Sequence, residues 1–225
     1  METFYFTGEW RAAYPGAQAG ILVMRNAANP SRSTALDRLK EALAARLREQ
    51  YGAADRAALT GLPVLQAYNA YYRRFKKSYH VQHQLESVAW KGREIPRAAA
   101  LVEAMFMAEL NNLLLTAGHD LETLQLPVCL DIARGEENYT LLRGETVTLK
   151  NGDMFMADRE GVISSILYGP DGRTRITPGT RHVLFAVYAP EGIETAAIRS
   201  HLEEIAGYVS ILSPQAEVTH REVYG

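Results

Sequence analysis

Cys129 is the only cysteine in the 225 residues. An intrachain disulfide is therefore impossible, and cysteine-based zinc spacing is excluded. Long apolar runs are missing too. Each is broken by charged or polar side chains well short of the ~20 residues that a membrane span requires. The opening METFYFTGEW has no basic flank leading into an apolar stretch, so it does not read as a secretion signal. Charge of one sign is not in excess: 24 Lys and Arg face 26 Asp and Glu, for a formal net charge of −2. The chain as a whole thus lacks the basic character of proteins held to nucleic acid by phosphate contacts, and any RNA must meet a local patch. Phosphate-loop, Gly-x-Gly-x-x-Gly and Gly-x-Ser-x-Gly signatures are absent. What is present is ordinary globular composition, 47% hydrophobic and 22% charged. It suffices for a large core without disulfide or metal. The expectation is one cytoplasmic domain over 1–225, with no membrane association.

Apolar periodicity divides the chain. FYFTG and Ala19–Asn26 read as strands. Leu36, Leu39, Leu43 and Leu47 follow at helical spacing, with Asp37, Lys40, Glu41 and Arg48 expected on the polar side. Further helices are expected over about 62–75, 81–90 and 97–115, the last apolar around most of its girth and so central to the fold. From Leu126 the period falls to 2. PVCLDIA, NYTLL, ETVTLK, MFMAD, GVISSILYG and RHVLFAVYA read as strands joined by turns such as Asn151-Gly152 and Asp171-Gly172. A last helix is expected over about 193–211. Strands, helices, a strand-rich half and a final helix make an α+β fold.

Four groups of residues carry possible chemistry. In Gly118-His119-Asp120, an aspartate beside a histidine can orient the imidazole, and a neutral imidazole can exchange a proton near pH 7. His119 and Asp120 are accordingly the candidate catalytic pair; the alternative is an Asp120 that caps the following turn and a structural His119. His80 and His83 stand three apart, on one face of a helix. Metal binding there would need a third ligand such as Glu86, His119 or Asp120, so neither a metal nor a cofactor is expected. Tyr71–Tyr79 interleaves Arg73, Arg74, Lys76 and Lys77 with aromatic rings. That pattern either stacks bases and meets phosphates, as an RNA-binding surface, or buries its rings at a helix end. Glu103, Glu109, Asn111 and Asn112 interrupt the apolar helix, either as a solvated stripe or as buried groups marking a pocket.

The order of landmarks Ile95-Pro96, Leu101-Val102-Glu103, Asn111, Gly118-His119-Asp120-Leu121, Gly135-Glu136, Gly144, Gly152-Asp153, Ala157-Asp158, Gly161-Val162 and Thr180 resembles a known pattern. It is similar to the editing domain, the fused third and fourth modules, of bacterial phenylalanyl-tRNA synthetase beta subunits, over about 81–190. The resemblance implies a three-layer β/β/α arrangement of mixed sheets with a helical layer. It also implies recognition of an aminoacyl group on tRNA, with hydrolysis of a mischarged phenylalanine-type tRNA in trans. The alternative is a small-molecule or protein-binding module that kept the fold without turnover. A tRNA, an aminoacyl-tRNA or a free amino acid are the expected partners. The histidine and glutamate that edit in the synthetase correspond here to Ala117 and Gly172. Any chemistry is therefore expected from the displaced His119 and Asp120, with His80, Gln84, Glu109, Asn111 and Asp171 on the substrate.

Overall fold

The structure, a computed structural model, describes residues 3–225. A short strand β1 (Phe4–Phe6) and helix α1 (Gly8–Ala13) lead into β2 (Gln18–Arg25). Helix α2 (Thr34–Tyr51) starts where Ser33 Oγ accepts the Leu36 N–H, satisfying one of the helix's unpaired donors. Next come α3 (Arg56–Thr60), α4 (Pro63–Arg74), α5 (His80–Ala89) and α6 (Ala100–Asn112). The strand-rich half follows: β3 (Thr116–Asp120), β4 (Val128–Ile132), β5 (Asn138–Thr140), β6 (Thr146–Thr148), β7 (Met154–Asp158), β8 (Gly161–Ser165), β9 (Gly169–Pro170) and β10 (Val183–Ala189). Helix α7 (Thr195–Leu212) and strand β11 (Glu217–Tyr224) close the described chain.

Two sheets result. One has the order β1-β4-β7-β8-β9, with β1 parallel to β4 and the rest antiparallel; the other is antiparallel, β11-β2-β10-β3. Because strand side chains alternate, the second sheet has two different faces. A methyl placed on Gly20 would meet Ile198 and Leu202 of α7, so that face carries the helices. On the opposite face His119 and Tyr188 reach Ser164 of the first sheet. The order of layers is sheet, sheet, helices, as the resemblance implies, and the fold is α+β. One apolar core runs through all three, from Phe4 and Trp10 to Phe185, Ile198 and Val209. No helix among the described residues is long and apolar enough to cross a membrane.

Two expectations are corrected, and one left open between alternatives is decided. Helix α6 ends at Asn112 rather than Leu115, because Leu113 adopts a left-handed conformation (φ 61°) that closes it and releases β3. Lys40 does not lie on a solvated face. It follows Leu36 by one turn on the buried stripe, and it is buried against Glu103 of α6 at 2.6 Å. The carboxylates of α6 are likewise not a solvated stripe, since Glu103 and Glu109 are both buried.

Candidate ligand-binding cleft

On the helix face of the second sheet, at its β3 edge, lies a cleft of about 410 Å³. This falls within the range of ordinary small-molecule sites. Helix α6 supplies Met105, Phe106 and Glu109; β3 supplies Thr116 and Gly118; β9 supplies Gly169 and Pro170, and the segment after it Arg175 and Ile176. His80, the first residue of α5, and Leu142 complete the rim. The cleft exists partly because residue 118 has no side chain: a methyl there would come within 2.7 Å of Ile176 Cδ1 and 3.3 Å of Met105 Sδ.

Most of the wall is apolar, with Glu109 as its one acidic group. Glu109 is buried, and its Oε1 accepts the Thr116 N–H at 2.7 Å. Its second oxygen has no hydrogen-bond partner among the described residues. Among the described residues the only sealed, unbonded side-chain oxygen is Asp153 Oδ2, so Glu109 Oε2 opens on the cleft. Burial pushes the Glu109 carboxyl up to about 8, against a smaller opposing effect of the Thr116 bond. Thr116 also joins the cleft to α7, through a 2.7 Å bond between its Oγ1 and His201 Nε2. His80 and Arg175 stand at the exposed mouth. The cleft wall desolvates His80 in part and His83 adds like charge, so the imidazole sits below its ordinary pKa.

His119 and Asp120 do not form the expected pair. They are consecutive residues of β3, so their side chains leave the strand on opposite faces. His119 is sealed between the sheets, bonded to Thr174 Oγ1 at 2.7 Å and Ser164 Oγ at 3.3 Å. Burial pushes its pKa down to about 3. Asp120 accepts the Glu122 N–H that follows it and the Thr180 hydroxyl at 2.6 Å. Both groups are engaged in the fold and neither reaches the cleft.

Of the residues expected on the substrate, the cleft brings together His80 and Glu109. Gln84 is half-buried on α5 away from it. Asn111 is held by Glu204 and Arg46 at a helix contact. Asp171 accepts from Thr174 N at 3.0 Å and lines a separate hollow beside Arg173. In the basic segment, Tyr71, Tyr72, Phe75 and Tyr79 are core residues and cannot stack on bases. Arg73, Arg74 and Lys76 are exposed, Arg74 lies over the Tyr14 ring at 5.0 Å, and Lys77 lies over the Tyr168 ring at 3.9 Å. His83 bonds Ser78 Oγ and approaches Glu86. No group of three His, Cys, Asp or Glu side chains among the described residues is placed to hold a metal. The sequence reading missed Thr116, Met105, Phe106, Arg175 and Ile176. Gly118, beside the highlighted His119, Val102 among the landmarks, and Gly169 and Pro170 of the turn that ends at Gly172 lay within segments already singled out.

A three-layer α+β domain with a ligand-sized apolar cleft between helix and sheet edge is the class that the fold and site define. The chain belongs to the B3/4 domain family, whose model matches residues 67–209, more than half of it. It is 29% identical over 132 residues to the phenylalanine–tRNA ligase beta subunit of Anaeromyxobacter dehalogenans (strain 2CP-C). That match covers 54% of this chain and 16% of the relative's length. Among solved structures, it is similar to an N-terminal fragment of the phenylalanyl-tRNA synthetase beta subunit from Pyrococcus horikoshii. That likeness has a TM-score of 0.46 and 11% identity, covering 98% of this chain and 50% of the other. Segments 117–120 and 169–172, on which the resemblance places the editing residues, both reach the cleft, through Gly118 and through Gly169 and Pro170. The two matched positions do not: Ala117 points away from it, opposite to Gly118, and Gly172 backs onto Leu141 O.

Proposed function

We propose that the chain recognises an aminoacyl group in this cleft, presented on tRNA or as a small amino-acid derivative. The observation that carries the reading is the meeting of the two family segments at one apolar cavity with an acidic group in its wall. A cavity lined by Met105, Phe106, Leu115, Pro170 and Ile176 suits an apolar or aromatic side chain, and its open mouth at His80 and Arg175 leaves an exit for whatever carries it. The exposed cations Arg73, Arg74 and Lys76 supply a limited patch for phosphates, in keeping with an overall charge that is slightly acidic.

Hydrolysis is the second reading, favoured by one observation: the imidazole of His80 lines the cleft at its mouth, where it could take a proton from an attacking water. The experiment that tests both follows deacylation of tyrosine-charged phenylalanine tRNA at high protein concentration, with parallel binding of a non-hydrolysable aminoacyl-adenosine. Binding without turnover supports recognition alone. Turnover that is lost in His80→Ala supports hydrolysis. Failure to bind the analogue refutes the aminoacyl reading.

A further inference from the structure

A buried carboxylate in an apolar wall is costly to maintain, and half of the hydrogen-bonding capacity of Glu109 goes unused in the protein alone. Among the described residues, the groups packed around it offer no counter-charge. On α4, Tyr68 OH donates to Tyr188 O and Tyr72 OH to Ile166 O; before α5, Tyr79 OH donates to Leu113 O. On α7, His201 is committed to Thr116 and Asn112, and burial pushes it down to about 3, so it is neutral. His80 and Arg175 belong to the mouth. The cleft is therefore polarised, with a carboxyl in its wall, an apolar lining and a guanidinium at its entrance.

We propose that Glu109 anchors the primary ammonium group of the ligand, so that the cleft takes α-amino acids, free or esterified, with an apolar or aromatic side chain. This rests on the aminoacyl reading and adds to it the group that identifies the ligand as an amine. The unpartnered Oε2 receives an N–H of the ammonium, while Met105, Phe106 and Ile176 cover the side chain. For a free amino acid, Arg175 then meets the carboxylate; for an ester on tRNA, it meets a phosphate. Because the empty site holds Glu109 protonated near pH 7, binding of an ammonium ionises it. The carboxyl O–H bond breaks, its electron pair stays on oxygen, and the proton leaves to solvent.

Calorimetry on the purified protein at pH 7, in two buffers of different ionisation enthalpy, tests this. The probes are L-phenylalanine, 2-phenylethylamine, 3-phenylpropanoate and an amide-linked phenylalanyl-adenosine. The amine-bearing probes should bind at least ~10-fold more tightly than 3-phenylpropanoate, as a charge-assisted hydrogen bond warrants. Binding of L-phenylalanine and 2-phenylethylamine, whose amines stay protonated well above pH 7, should release close to one proton at pH 7, and the release should fall as pH rises through 8 and Glu109 ionises on its own. Glu109→Gln, which keeps the Thr116 bond, should abolish both the preference and the release, with an unchanged near-ultraviolet circular dichroism spectrum. Tighter binding of the adenosine conjugate than of L-phenylalanine assigns the esterified source, and the reverse order the free amino acid. Equal binding of 3-phenylpropanoate and L-phenylalanine, or no proton released by the wild-type protein, overturns the role of Glu109 and leaves the aminoacyl reading standing. Failure of all four probes to bind overturns both.

Discussion

Lys40 Nζ lies 2.6 Å from Glu103 Oε1, and the two buried side chains clamp α2 to α6 across 63 residues of sequence. Glu103 Oε1 also accepts the Ala98 N–H at 3.0 Å, which ties the approach to α6 into the same point. Removing one partner leaves a buried charge without its counter-charge. Lys40→Met should therefore cost ~3–5 kcal/mol of unfolding free energy, whereas Lys40→Met with Glu103→Leu should recover most of it. Urea unfolding of the two variants measures this. Equal losses in single and double variants would show that packing, and not charge, is at stake.

His119 is predicted to be structural. His119→Ala removes a fully buried ring and leaves Thr174 and Ser164 short of a partner, at a cost of ~2–4 kcal/mol. Ligand affinity in the cleft should be unchanged. The wild type also carries a pH signature. The folded pKa of about 3 lies below the ordinary 6.5, so the unfolded chain binds the extra proton between those values. The contribution of neutral His119 is complete above about pH 6.5 and is lost as pH falls toward 3. The stability gap between wild type and His119→Ala should accordingly narrow by up to ~2 kcal/mol between pH 7 and pH 5. A gap independent of pH would mean that the ring is not held neutral.

The basic segment separates into two kinds of residue. Arg73 and Lys76 are exposed, while Tyr71 and Tyr72 are core residues whose hydroxyls bond Asp153 and Ile166. Substituting Arg73 and Lys76 by Ala should weaken tRNA binding and flatten its dependence on salt, each lost phosphate contact lowering the slope by roughly one unit. Tyr72→Ala should instead lower the melting temperature. Filter binding across a salt series decides the first point; an unchanged slope would remove these cations from the RNA surface.

The elements with strong periodicity were legible in the sequence. The leucines of α2, the apolar girth of α6 and the alternation from Leu126 to Ala189 each carry their own burial signal, so type and order could be read directly. Short or weakly patterned pieces were not. β3 is a five-residue strand that follows α6 after a left-handed Leu113, and β11 is a polar edge strand with no alternation to reveal it. The site was legible at Glu109, because a carboxylate in an apolar helix announces either exposure or a pocket. His119 and Asp120 misled for a reason of period: adjacent residues in a loop can cooperate, but in a strand they part to opposite faces. Arg175 had no signal at all, since its place at the mouth is set by the pairing of His119 with Arg175 across the sheet edge.

Glu109 supplies the last prediction, because a group useful to a ligand should be a burden to the empty fold. Its folded pKa of about 8 lies above the ordinary value of 4.5, with burial as the main cause. Between those values the folded chain keeps a proton that the unfolded chain releases, so stability falls as pH rises through this window. At pH 7 the accumulated cost is ~3 kcal/mol, and it stops growing above about pH 8. Glu109→Gln keeps an oxygen for the Thr116 N–H but does not titrate. Its stability relative to wild type should therefore increase from pH 5 to pH 8 by a few kcal/mol. Asp153, which burial raises to about 7, and the buried His119 and His201 titrate alike in both proteins and cancel in the difference. Urea unfolding of the two proteins at pH 5, 6.5 and 8 gives the three differences needed. A constant difference would mean that Glu109 is ionised throughout, with a cation already beside it. A difference that grows with pH, and that collapses when saturating L-phenylalanine is added to the wild type, would tie the cost of the empty carboxyl to the ligand that relieves it.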